Sequence, residues 1–151
     1  MKLEDAIKQK TPFKSVRQKL AVNIIYTHNW LTDLHKDVFK PYGITPQQYN
    51  VLRILRGQHP NPVSTCVIRE RMLDRMSDVS RIVDRLVKKD LVIRRTCMED
   101  KRLVDVFISE SGMNLLSAVD DLNYQMDQVF SSLTNEEAEQ LNDLLDKLRG
   151  D

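Results

Sequence analysis

The sequence predicts a mainly helical fold carrying one small β-hairpin, an α+β arrangement in which helices supply most of the core. Three observations point there. Apolar residues recur at three- and four-residue steps over most of the 151 residues, the period of helices buried along one face. Glycine is scarce, at 4 residues beside 5 prolines, too little turn material for a sandwich or barrel of many short strands. A single stretch, between about residues 91 and 108, changes to short β-branched runs. A chain that is 41% hydrophobic and 30% charged, without a low-complexity tract, folds as one domain or as a small domain with an association element.

Each element has its own signal. From Phe13 to Phe39 there is neither Gly nor Pro, and Val16, Leu20, Ile24, Leu31, Leu34 and Val38 step at helical spacing, so one long helix is expected. It stops at Lys40-Pro41-Tyr42-Gly43. Thr45, Pro46 and Gln48 form a capping box for the next helix, whose stripe is Tyr49, Val51, Leu52, Ile54 and Leu55 and which ends near Gly57. A loop over 58–62 follows. Ser64 can cap a short helix reaching Arg71 or Met72, with Val67, Ile68 and Met72 for the core.

After a break at Leu73-Asp74-Arg75, Val79, Ile82, Val83, Leu86 and Val87 predict an amphipathic helix over 76–89. Two helices joined by so short a turn have the geometry of a helix-turn-helix. Leu91–Thr96 and Leu103–Ile108 then read as a hairpin whose polar tip projects as a wing. From Ser109 the helical period returns, with a seam of Leu115, Val119, Leu122, Met126, Val129 and Leu133 too short to stand alone. A last helix starts at the capping box Thr134 to Glu137 and presents Leu141, Leu144, Leu145 and Leu148. The sum is a winged helix-turn-helix lobe at 43–108, flanked by helical regions at 1–42 and 109–151, the second of which needs a partner surface for its seam.

Charge is polarised along the chain although the total is only +1. Residues 1–63 carry 10 Lys/Arg against 4 Asp/Glu, residues 64–108 carry 11 against 8, and residues 109–151 carry 2 against 10. A basic body beside an acidic C-terminal segment is compatible with nucleic-acid binding. No window approaches 18 consecutive apolar residues, and MKLEDAIKQK is charged where a signal peptide needs an apolar core, so a cytoplasmic protein without a membrane partner is expected. Two cysteines, Cys66 and Cys97, fit that reducing compartment.

The outer face of the 76–89 helix carries Ser77, Asp78, Ser80 and Arg81 near its start and Arg85 further on. Side chains at the start of a helix entering the major groove reach base edges, with Arg reading guanine and Ser several acceptors. Asp78 repels phosphates, which leaves it to accept from a cytosine amino group, to cap the helix or to orient Arg81. Arg94, Arg95, Lys101 and Arg102 in the wing are placed for phosphates or the minor groove, with Asp100 paired to Arg102. Taken alone, such a helix is usually a solvated face, and strand cations usually guard a sheet edge. Their conjunction around one helix pair and hairpin turns the balance to double-stranded DNA.

The block from Val79 to Val92, VSRIVDRLVKKDLV, with Asp100-Lys101-Arg102 and then Val106 to Gly112, VFISESG, resembles the MarR family of bacterial transcriptional regulators. That family shows a V-T-R-L-V-D-R-L-like helix, a glycine-leucine, a wing with Asp-x-Arg and a strand ending in L-T-x-x-G. Here Asp90 replaces the glycine, which asks for an Asp in a left-handed or turn conformation, Ser109 replaces the threonine, and Asp78 sits where the family varies. The resemblance implies a homodimeric repressor interlocked through its N- and C-terminal helices, with each lobe on half of a palindrome and Arg102 in the minor groove. It also implies release by a small aromatic or phenolic effector between dimer helices and lobe, for which Tyr26, His28, Trp30, Tyr49 and Met72 are candidates.

Other classes fit less well. No Gly-rich phosphate loop, G-x-S-x-G or H-E-x-x-H is present, and His28, His35 and His59 make no metal-ligand cluster, so neither an enzyme nor a cofactor or metal is expected. A winged-helix protein-interaction module is opposed by the wing cations. A redox-sensing regulator of the same fold would use Cys97 beside the wing tip, against the ordinary inertness of a cysteine without an activating partner.

Overall fold

The structure is a computed structural model and describes residues 1–96, 98, 103–120 and 127–150. Helices α1 (Leu3–Ala6) and α2 (Val16–Phe39) lead through a 3₁₀ turn (Lys40–Tyr42) to α3 (Pro46–Arg56). Strand β1 (Val63–Ser64), α4 (Thr65–Arg71), α5 (Val79–Lys88), β2 (Val92–Thr96) and β3 (Val104–Ile108) make the central lobe. Helices α6 (Glu110–Asp120) and α7 (Asn135–Arg149) complete the chain, with 127–129 also helical.

The mainly helical class with a small antiparallel sheet is what the periodicity indicates. Several boundaries differ, each for a local reason. The long helix starts at Val16 instead of Phe13, because the Ser15 hydroxyl accepts from the Gln18 N–H and caps it there. The short α1 and the strand β1 carry no sequence signal of adequate length. Strand β1 pairs with β3, Val63 opposite Val106, so the hairpin is the larger part of a three-stranded sheet ordered β1-β3-β2. The Thr45–Gln48 and Thr134–Glu137 capping boxes both form.

The core lies inside the lobe. Val51, Leu52 and Leu55 of α3, Ile68 of α4, and Val79, Val83 and Leu86 of α5 meet Val92, Val106 and Ile108 of the sheet and Leu116 and Val119 of α6. Full burial of each such aliphatic contributes about 1.5–3 kcal/mol before chain entropy is set against it. Side chains hold the joints. The Lys89 ammonium donates to the Gly43 carbonyl and to Gln48 Oε1 (3.2 Å), tying the end of α5 to the start of α3. Arg56 of α3 makes a two-pronged ion pair with Asp120 of α6, which raises the guanidinium pKa above its ordinary value. Asp90 has φ 56, the left-handed conformation that replacing a glycine there demands.

The outer helices are different. Along α2, Val16, Leu20, Ile25, Tyr26 and Trp30 are exposed, and Phe39 at its end is its one buried residue. Helix α7 buries no residue, and Leu141, Leu144 and Leu148 stand in solvent. Of the seam expected over 115–133, Leu115 and Val119 pack on the lobe, while Leu122 and Met126 lie outside the described residues.

Candidate nucleic-acid interface

The α4–α5 pair is fixed by its turn. The Ser64 hydroxyl accepts from Val67 N–H at 3.3 Å and starts α4. Beyond α4, the Leu73 N–H donates to Asn50 Oδ1 of α3 (2.9 Å), and Asp74 accepts from Met76 N–H through its carboxylate (3.0 Å) and from Ser77 N–H through its carbonyl (3.2 Å). These local bonds compete with helix formation, so α5 begins at Val79 and not at residue 76 as its periodicity indicates. Ser77 and Asp78 therefore precede the helix.

Asp78 is its N-cap, Oδ1 accepting from the Arg81 N–H at 3.1 Å. Of the three roles open to this carboxylate, capping is the one its geometry displays. Asp78→Ala is expected to cost about 1 kcal/mol, roughly 2–4 °C in Tm, whereas Asp78→Asn keeps the cap. Thermal denaturation followed by circular dichroism checks this, and an unchanged Tm for the alanine variant would remove the cap's contribution.

Ser80, Arg81 and Arg85 point outward from α5, opposite the buried Val79, Val83 and Leu86. Ser77 is half-buried, its hydroxyl shielded and without a hydrogen-bond partner among the described residues. Ser77, Asp78, Arg81 and Arg85 border one groove, and Thr45, Gln47 and Gln48 from the start of α3 form its other wall. That second wall was not among the sequence candidates. Its signal was nevertheless present in the Thr45–Gln48 capping box, which marks a helix N-terminus, the end that favours anions.

In the wing, cross-strand register sorts the cations. Arg94 stands opposite Val106 and Arg95 opposite Asp105, and directly paired residues share a face of the sheet. Val106 is fully buried, so Arg94 lies on the core side, where its guanidinium pairs with Asp84 of α5. Arg95 lies on the outer side with its guanidinium 5.6 Å from the centre of the Phe107 ring. Lys101 and Arg102, the expected Asp100 partner and Cys97 lie outside the described residues.

A second concavity separates α2 from the lobe. His28, Leu31, Thr32 and His35 line one side, Pro46, Gln47 and Asn50 a second, and Met72, Leu73 and Asp74 the third. Of the five effector candidates it includes His28 and Met72. Tyr26 and Trp30 sit on the exposed surface of α2. Tyr49 is stacked on Phe39 with ring centres 4.4 Å apart, its hydroxyl accepting from Arg53 at 3.0 Å. His35 was missed as a lining residue although its spacing from His28, two helical turns, sets both on one face of α2. Burial holds the His35 imidazole below its ordinary pKa, which favours the neutral ring.

Cys66 is exposed on α4 with its thiol 3.7 Å from Glu70 Oε1. Among the described residues no group of three or more His, Cys, Asp and Glu is placed to hold a metal ion, and no helix is long and apolar enough to cross a membrane.

A model of the MarR family matches residues 42–103, the lobe from the 3₁₀ turn to the wing. The HTH-type transcriptional regulator MgrA of Staphylococcus aureus is 33% identical over 113 residues, 74% of this chain and 74% of MgrA. The Escherichia coli MarR C80S mutant complexed with operator DNA superposes with a TM-score of 0.76 at 23% identity, covering 98% of this chain and 99% of that one. The organohalide-sensing regulator RdhR-CbdbA1625 in its 2,4-dichlorophenol-bound form gives a TM-score of 0.82 at 21% identity, covering 94% and 86%. The last two likenesses speak for the winged-helix fold.

Proposed function

The chain belongs to the MarR family of DNA-binding transcriptional regulators, and from that premise we propose that it acts as a homodimeric repressor on a palindromic operator. The observation that carries the proposal is the outer face of α5. Ser80, Arg81 and Arg85 are exposed beside the capped end of the helix, while the opposite stripe is locked in the core. In this reading Ser77, Asp78, Ser80, Arg81 and Arg85 face the major groove, and Arg95, Lys101 and Arg102 serve the backbone or the minor groove. Residues 43–108 form the DNA lobe, and 1–42 with 109–151 the dimerisation region.

Support for self-association comes from the outer helices. An isolated 15-residue helix is marginal in water, and α7 buries no residue of its own chain. The exposed leucines of α7 and the exposed apolar face of α2 need a cover, and a second copy offers the same two surfaces. Two-fold symmetry then sets the half-sites about one helical turn, roughly 34 Å, apart. A cytoplasmic location goes with access to DNA. The concavity at His28, His35 and Met72 suits a small aromatic or phenolic effector, as the dichlorophenol held by RdhR-CbdbA1625 illustrates for that protein.

Selection of bound sequences from a random duplex pool tests the proposal. A palindrome is expected, bound with an affinity that falls steeply as salt rises and that drops when 2,4-dichlorophenol is added. Salt-insensitive binding with no enriched sequence would sink the reading and favour a winged-helix module that docks on protein. Enrichment of a single half-site would sink the dimer alone.

A further inference from the structure

We infer that Arg94 is a positioning residue, which holds the wing against α5 through Asp84, and not a phosphate anchor; this rests on the DNA-binding reading above. The strand register is the first ground. Val92, Arg94 and Val106 share the core side of the β2–β3 pair, and Val92 and Val106 are buried there, so the Arg94 side chain leaves the strand toward the helices. Arg95, Ile93 and Phe107 occupy the opposite side, where Ile93 is exposed.

Charge is the second ground. Asp84 lies on the outer face of α5, between Arg81 and Arg85 in sequence, and its side chain is 50% exposed. A bare carboxylate at that place would repel the phosphates that the neighbouring arginines attract. Arg94, itself 47% exposed, neutralises it. The pair thus brings no net charge to the interface. An ion pair this open to solvent adds little to stability, so what it supplies is orientation. It joins the middle of the groove-facing helix to β2 two residues before the strand ends at Thr96, and so sets where the wing starts relative to α5.

A positioning pair and an anchor behave oppositely under substitution. The full-length chain is titrated by fluorescence anisotropy against its selected operator and a random duplex of equal length over a range of salt. Asp84→Asn removes a negative charge from the interface, so on electrostatics alone it should tighten DNA binding. The inference requires the reverse. D84N and R94Q each weaken operator binding by roughly three- to five-fold, the scale of an exposed pair. The double variant is no worse than either single one, binding to random duplex barely changes, and the slope of log affinity against log salt is preserved. Thermal denaturation of each variant guards against misfolding, and D84N, nearly isosteric, keeps the test available if R94Q unfolds.

The assignment is overturned if R94Q lowers the salt slope by about one and weakens operator and random duplex alike, the signature of a lost phosphate contact. It is equally overturned if D84N tightens binding or if the two losses add in the double variant. A wild-type chain that binds no duplex overturns this assignment together with the DNA-binding reading. A wild type that binds, with variants that act independently, overturns the assignment of Arg94 alone.

Discussion

Replacing Gly112 with alanine is expected to lower the stability of the whole lobe by about 3 kcal/mol, at the upper end of what overpacking costs. In the first turns of an exposed helix the same change would stabilise by roughly 0.5–1 kcal/mol, so the sign alone is diagnostic. A Cβ at Gly112 would lie 2.3 Å from the Leu91 carbonyl oxygen and 2.8 Å from Ile108 Cγ1. The carbonyl cannot withdraw, because it is main chain held in place. It accepts from the Ser109 N–H at 3.1 Å, and the Ser109 hydroxyl donates to the Asp90 carbonyl at 2.7 Å while accepting from the Gly112 N–H at 3.0 Å. This knot joins the end of β3 and the start of α6 to the turn between α5 and β2. At roughly 2–4 °C per kcal/mol for a chain of this size, Tm should fall by about 6–12 °C. Calorimetry or circular dichroism on Gly112→Ala measures it, and a Tm at or above the wild-type value would refute the close packing.

That knot also shows what the sequence makes legible. Asp90, Ser109 and Gly112 stand out as a motif, and the left-handed turn at Asp90 follows from its standing where a glycine is usual. The reason Gly112 tolerates no side chain does not follow, because it depends on a carbonyl 21 positions away. Long apolar periods and capping boxes announce α2 to α7 because helical hydrogen bonds and their caps are local. Strand β1 has two residues and exists only through its pairing with β3, Val63 on Val106 and Ser64 on Asp105, a contact far apart in sequence that no local pattern encodes. At the candidate interface the same division holds. Hydrophobic periodicity tells which face of α5 looks outward, but four cations in one wing look equivalent until the register of β2 on β3 separates Arg94 from Arg95. Residue type alone does not separate His28 and Met72 from Tyr26 and Trp30, and only the crossing of α2 over the lobe reveals that His35 lines the concavity and Trp30 does not.

Arg81 should carry base discrimination, and Arg81→Ala is expected to narrow the gap between operator and random duplex by about 1–3 kcal/mol, the worth of one two-pronged arginine–guanine contact. Its backbone is anchored, with the N–H bonded to Asp78, so the side chain leaves the first turn of α5 from a fixed point. The groove it borders is shared with Arg85, one turn further along the same face. Two substitutions separate reading a base from attracting a phosphate. Arg81→Lys keeps the charge but loses the planar fork, so it should leave the salt slope intact and still forfeit most of the discrimination. Arg95→Gln, on the outer face of the wing, should do the opposite, weakening every duplex alike and lowering the slope by about one. If Arg81→Lys instead retained the operator preference, or if Arg81→Ala weakened operator and random duplex equally, the residue would be a second phosphate anchor. Sequence discrimination would then have to come from Ser77, Ser80 or the deformability of the operator itself.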